Sequence, residues 1–215
     1  MEKLRFYAWW LLGIICVAFV LEAVFPPIIK ILSFRPSLVL AMPWTFITSS
    51  FMHADLSHLF QNMFALGLFG IILERVIGSR NFLVLYFSGA IAGNIAALFF
   101  YPNSLSLGAS GAIMAVLGAL TVLRPKLVLY IGGPLPMILL AFMWVVIDVV
   151  GIFSPDTGIG HAAHLAGFGF GAIYGYAMRE KYSQEREIKK RAEVEVSEAY
   201  LSEWEKKYMK IVLPY

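Results

Sequence analysis

The sequence predicts an all-α polytopic membrane protein, and three observations carry that prediction. Of 215 residues, 60% are hydrophobic and only 14% charged, with a mean hydropathy of +0.75. Soluble domains carry roughly 25% charged residues. The apolar residues fall in long runs without strict alternation, which selects helices over a closed barrel, the other architecture that satisfies backbone groups in lipid. Lysines and arginines gather at the ends of those runs. A net charge of +3 distributed this way carries no nucleic-acid footprint, so the lipid bilayer is the expected partner. The single cysteine, Cys16, cannot form an intramolecular disulfide.

Six runs are candidate spans: 7–25, 57–74, 82–101, 110–123, 127–153 and 161–178. The first resembles a secretory signal in outline, but it is too long and no small-residue cleavage site follows, so it reads as a retained helix. The connection 26–56 carries Pro26, Pro27, Pro36 and Pro43 among large apolar residues. A structureless loop of that length is uncommon, so short helices at the membrane surface are expected there. Beyond residue 180 the chain turns charged, with both signs mixed. Ile188, Ala192, Val196 and Ala199 give this tail a partial helical stripe. Residues 1–180 therefore read as the six-helix transmembrane domain, and 181–215 as a charged, helical cytoplasmic tail.

Lys3 and Arg5 precede the first run, Arg75 and Arg80 separate the second from the third, and Arg124 and Lys126 separate the fourth from the fifth. Arg179, Lys181 and Arg186 follow the sixth, whereas the opposite side has only Lys30 and Arg35. By the positive-inside rule both termini are expected in the cytoplasm, with the protein a multi-pass component of the plasma membrane. Runs two, four and six then start at the outer side.

The fourth run is short for a span. From Gly111 to Leu123 it reaches about 20 Å, against a hydrocarbon core about 30 Å thick. Ser110 thus falls at a helix start below the outer surface, and the preceding "YPNSLSLGA" must descend to it as irregular backbone. Such backbone is tolerated at membrane depth only where protein buries it or water reaches it. A recessed, water-accessible cavity with a serine at its floor is therefore expected. Gly108 permits the turn into the helix. Gly111, Ala115 and Gly118 form a stripe of small residues, and His164, Gly167, Gly171 and Gly175 offer a matching face on the sixth run. His58 and Asn62, four residues apart, share a face near the start of the second run. Ser110, His164, His58 and Asn62 thus converge at one depth, and polar side chains inside a membrane mark a functional site by default.

These residues resemble the rhomboid family of intramembrane serine proteases. "GASG" at 108–111 is similar to the GxSG nucleophile motif, "AHLAGFGFG" at 163–171 to the AHxxGxxxG motif, and "HLFQN" at 58–62 to HxxxN. "LERVIGS" at 73–79 resembles the segment after the family's second helix, and Trp44 takes the tryptophan place of its first-loop tryptophan–arginine pair. Thr45 stands where many members have arginine, and Met114 where many have an aromatic that stacks on the catalytic histidine.

The resemblance implies a Ser–His dyad with Ser110 as nucleophile and His164 as general base and acid. It implies an oxyanion held by the Ser110 backbone N–H, Asn62 and His58, with Gly108, Gly111, Gly167 and Gly171 in support. His53 matches a further family histidine and reads as ordering the cavity. Asp148, near the outer end of the fifth run, either orients a histidine or makes a structural hydrogen bond. Implied substrates are transmembrane segments of other proteins, reached past the fifth run beneath a cap at Ser154–Gly160, with the cavity open to the extracytoplasmic side. No cofactor is implied, and no metal either, because the histidines come without a carboxylate or cysteine set at ligand spacing. A transporter also uses half-length helices pointing into a cavity, but no second broken helix is visible in the sequence. A non-catalytic member that only binds helices would be expected to lack the serine or the histidine, and both are present.

Overall fold

The computed structural model describes residues 4–130, 132–154 and 158–208. The chain divides into two compact units, residues 1–177 and 178–215. The first is a helical bundle: α1 (Tyr7–Val24), α2 (Pro27–Leu32), α3 (Thr45–Thr48), α4 (Leu56–Ala65), α5 (Ile71–Ile77), α6 (Ser79–Phe100), α7 (Ser110–Leu123), α8 (Met137–Ile152) and the beginning of α9 (His161–Tyr208). A π-helical stretch, Leu66–Gly70, joins α4 to α5, so Leu56–Ile77 forms one continuous element. Among the described residues three helices are long and apolar enough to cross a membrane: Tyr7–Val24, Leu56–Ile77 and Ser79–Phe100. Ser110–Leu123 and Met137–Ile152 are shorter apolar helices.

Burial separates the centre from the periphery. In α7, ten residues are buried, including the whole run Ala112–Leu120. An apolar helix buried on every side is a core element. In α1 only Ala8, Leu11, Ile15 and Glu22 are buried, while Trp9, Trp10, Ile14, Val17 and Val20 are exposed. In α8 the buried residues are Met137, Ala141 and Asp148. Large apolar side chains facing outward on both helices suit a lipid environment.

Glycine brings α7 and α9 together at backbone distance. A Cβ on Gly167 would run into the Gly111 carbonyl, one on Gly171 into that of Ala115, and one on Gly118 into that of Phe168. A Cβ on Gly175 would lie 3.0 Å from the Ala119 carbonyl oxygen. On the other flank of α7, Gly89 of α6 faces Ala115, and Gly93 faces both Gly111 and Ala163.

The long first connection holds short helices, α2 and α3, and 3-10 turns at Pro36–Leu38 and Ser49–Phe51. It also straps the descending segment before α7. Phe34 and Ser106 exchange two backbone hydrogen bonds of 2.8 Å, and the Gly108 N–H donates to the Ser49 carbonyl. The Asn94 amide ties the same connection to α6 through Phe46 O and Ser49 Oγ. The irregular backbone leading to Ser110 thus has protein partners. Trp44 donates its indole N–H to Ile31 O, and Thr45 is buried with its hydroxyl donated to Met42 O.

Two sequence boundaries shift. The apolar run from residue 127 begins with a hairpin, β1 (Val128–Tyr130) paired with β2 (Pro134–Pro136), and α8 starts only at Met137. The reason is local: Gly132 adopts φ 72°, and Pro134 and Pro136 cannot continue a helix. The last helix does not stop at residue 178 but runs unbroken to Tyr208. The side chains of Ile188, Ala192 and Val196, which carry the tail's apolar stripe, lie outside the described residues. So do Pro155 and Asp156 of the expected cap.

Candidate active site

One cavity of about 760 Å³ opens among α4, α6, α7, α8 and the start of α9, and Ser110, His58, Asn62, Asp148, His161 and His164 all line it. Each is placed by a helix end. Ser110 is the first residue of α7, and the first intrahelical bond runs from Ile113 N–H to Ala109 O. The N–H groups of the first turn are therefore free of the helix ladder and carry its positive end. Gly108 enters at φ 121°, a conformation natural only to glycine, and a Cβ there would sit 2.7 Å from the His58 ring. The loop is pressed flat against that imidazole.

His58 belongs to the first turn of α4, capped by the Asp55 carboxylate, which accepts the His58 backbone N–H at 2.8 Å. One turn on, Asn62 is buried and donates one amide N–H to His58 O. Its Nδ2 carries a second N–H. His53 packs edge-on against His58 with ring centroids 5.0 Å apart. Its backbone N–H donates to the buried Glu22 carboxylate of α1, and its Nε2 has no hydrogen-bond partner among the described residues. Burial, with the His58 imidazole beside it, pushes the His53 ring down to about 4 from the ordinary 6.5.

At the start of α9, the Ala162 N–H donates to the Tyr101 hydroxyl. His161 and His164 both direct Nδ1 at Oδ1 of Asp148, at 2.7 and 3.0 Å. All three side chains are buried, and Asp148 Oδ2 has no hydrogen-bond partner among the described residues. Their potential ligand atoms lie within 4.8 Å of one another, so a carboxylate does join two histidines in space that the sequence spacing had kept apart. Both imidazoles engage the same carboxylate oxygen, so hydrogen bonds at Oδ1 hold the cluster together. Ser110 Oγ has no hydrogen-bond partner among the described residues and shares the cavity with His164. Such pairs often tighten only around bound substrate. Met114, one turn into α7, is buried against the same cavity.

The sequence singled out Ser110, His164, His58 and Asn62, and the structure gathers all four around one space. It adds His161, and Glu22, which nothing in the sequence tied to His53 across 31 residues. The signal for His161 was present: residues three apart on a helix are neighbours, so His161 and His164 reach the same partner.

An apolar helical bundle with membrane-length helices defines an integral membrane protein, and serine, histidine and asparagine line its polar cavity. A family model described as the Rhomboid domain matches residues 40–181, and the chain belongs to the rhomboid family. It is 34% identical over 154 residues to the mitochondrial Rhomboid protein 1 of Saccharomyces cerevisiae, covering 66% of this chain and 43% of that protein. It is 31% identical over 149 residues to the mitochondrial RHOMBOID-like protein 12 of Arabidopsis thaliana, covering 60% of this chain and 44% of that protein. Rhomboid protease GluP of Bacillus subtilis is 43% identical over 77 residues, 36% of this chain and 15% of its own length. The chain thus spans less than half of each of these relatives.

Proposed function

We propose that this protein is an intramembrane serine endopeptidase that cuts transmembrane segments of other proteins through Ser110 and His164. The observation that carries the reading is the meeting of a helix-start serine with an anchored histidine in one polar cavity, inside a chain of the rhomboid family. Ser110 Oγ attacks the scissile carbonyl carbon while His164 Nε2, the nitrogen not engaged by Asp148, takes its proton. The carbonyl π pair moves to oxygen. The resulting oxyanion meets the free N–H groups of the α7 first turn, the second N–H of Asn62 and the His58 ring. His164 then gives the proton to the leaving nitrogen as the C–N bond breaks. Water attacks the acyl-enzyme, again losing its proton to His164, and the serine leaves with that proton. The chemistry calls for no metal or cofactor.

The arginine and lysine distribution supports a plasma-membrane protein crossing six times, with both termini and the tail 181–215 cytoplasmic and the cavity open to the extracytoplasmic side. Substrates reach the cavity laterally past α8. A peptide bond must be extended to be attacked, so helices carrying glycine, proline or polar residues unwind into the site more readily.

The test is purified protein in liposomes with a model transmembrane substrate, beside Ser110→Ala and a fluorophosphonate probe. Cleavage and covalent labelling at Ser110 are expected in the wild type, with both lost and melting unchanged in Ser110→Ala. A folded wild type that neither cleaves nor labels would favour a non-catalytic or transport role.

A further inference from the structure

We propose that Asp148 is a positioning residue for the base, with His161 holding its carboxylate in place, so that the Ser110–His164 pair works as the reactive end of a four-residue array. The proposal rests on the serine-peptidase reading above and adds to it a carboxylate from a third helix.

A buried carboxylate is costly unless it is paired and hydrogen-bonded. Asp148 is 2% exposed, and the other buried residues of α8 are Met137 and Ala141, which offer it nothing polar. Its partners come from α9, where both histidines present Nδ1 to the same oxygen. An ionised carboxylate only accepts hydrogen bonds, so each Nδ1 must carry a proton. A neutral His164 protonated at Nδ1 has its lone pair on Nε2. That is the tautomer able to take the Ser110 proton. Without the carboxylate the ring could hold its proton on either nitrogen, and one of those forms cannot act as the base. Once His164 has taken the serine proton, its positive charge lies beside a fixed negative one, in a site where water does little to screen the pair.

His161 explains why the carboxylate stays aimed. Its ring lies flush on Gly151, one turn beyond Asp148 on α8, where any Cβ would overlap it. Asp148 and Gly151 on α8 thus face His161 and His164 on α9, each pair three residues apart. The His161 and His164 rings stand edge to face with centroids 6.2 Å apart, so neither can swing without meeting the other. Among the described residues that line the cavity with His164 are the His58 ring and the Ser110 hydroxyl, neither of which carries a negative charge.

The experiment uses the full chain in liposomes for kinetics and in detergent micelles for NMR with 15N-labelled histidine. Asp148→Asn is expected to lower kcat by about 10²- to 10⁴-fold, the upper figure being the effect of the equivalent change in soluble Ser–His–Asp proteases, with KM and the melting temperature close to wild type. His161→Gln, which keeps a donor for the carboxylate, is expected to retain more activity than His161→Ala. In the spectrum, with His161→Gln and His164→Gln used for assignment, His164 should be protonated at Nδ1 in both wild type and Ser110→Ala, and should become a tautomer mixture in Asp148→Asn. Wild-type kcat in a normally melting Asp148→Asn would overturn the proposal. So would a wild-type His164 protonated at Nε2, a measurement that needs no variant to fold. Loss of wild-type activity on chelation, restored by zinc, would also overturn it, since the three side chains would then be holding an ion. If no form of the protein cleaves substrate, the peptidase reading fails, while the NMR tautomer still decides the placement of Asp148.

Discussion

Among the buried carboxylates of this bundle, Glu74 and Asp148 are treated in opposite ways. Glu74 of α5 lies where α1 begins. Its Oε1 accepts the Tyr7 N–H and the Ser79 hydroxyl, its Oε2 accepts the Ala8 N–H, and Ser79 Oγ in turn accepts the Arg5 N–H. Both oxygens are committed, and the first free N–H groups of α1 are satisfied from another helix. Asp148 lies at the cavity, gives one oxygen to two histidines and leaves the other without a partner among the described residues. Around it the pattern repeats: among the described residues Asn62 has an N–H to spare and His53 Nε2 is unpartnered. At the closed end the Glu74–Ser79 pair is committed to structure. The cavity end holds polar groups in reserve, which is what a site that must meet a changing charge requires.

That contrast can be broken from either side. The largest effect on stability is expected at the closed end. Glu74→Ala would strand the Tyr7 and Ala8 N–H groups and the Ser79 hydroxyl, at a cost of about 3–5 kcal/mol. Chemical denaturation in micelles would read this as an earlier midpoint, while cleavage per folded molecule stays at wild type. A stable Glu74→Ala would show that the knot is not structural. At the cavity end, Asn62→Ala should leave melting nearly intact and lower kcat about 10²-fold, roughly 3 kcal/mol of barrier, through loss of one oxyanion donor. Kinetics on one substrate at fixed lipid content decide it: a raised KM with wild-type kcat would make Asn62 a uniform binding residue.

The smallest effect concerns pH. His53 folded has its pKa at about 4, below the ordinary 6.5, so the unfolded chain takes up the proton first. Its contribution to stability is complete above 6.5 and is lost as pH falls from 6.5 toward about 4. About 1 kcal/mol should go within the first unit. Melting temperatures across that window should fall less steeply in His53→Gln, and identical slopes would remove His53 from the account.

The membrane character, the helical class and the family were legible in composition, run lengths and three spaced motifs. So was the small-residue stripe, because the spacing of Gly111, Ala115 and Gly118 against Gly167, Gly171 and Gly175 is a property of helical period alone. The hairpin at 128–136 was hidden because Val128, Leu129 and Tyr130 are as apolar as a helix. Gly132, Gly133, Pro134 and Pro136 were the signal, and they were read as part of a span. The partners of Asp148 were hidden for another reason: helical period places a residue on a face, but it does not say which neighbouring helix that face meets. Across the turn from α8 to α9, only coordinates resolve that His161 as well as His164 reaches one oxygen.

The glycine seam between α7 and α9 has a consequence in the currency of rotamers. Burying a leucine against a neighbour freezes side-chain freedom worth about 0.5–1 kcal/mol, whereas glycine and alanine have none to lose. Gly111, Ala115 and Ala119 meet Gly167, Gly171 and Gly175 with no side-chain torsion of their own to arrest. What holds the seam is dispersion between backbones, which fades over a fraction of an ångström. Such a joint has no long side chain to bridge a gap and no slack to absorb one. The serine at the head of α7 and the histidine near the head of α9 are therefore held in register by a contact that is either fully made or lost.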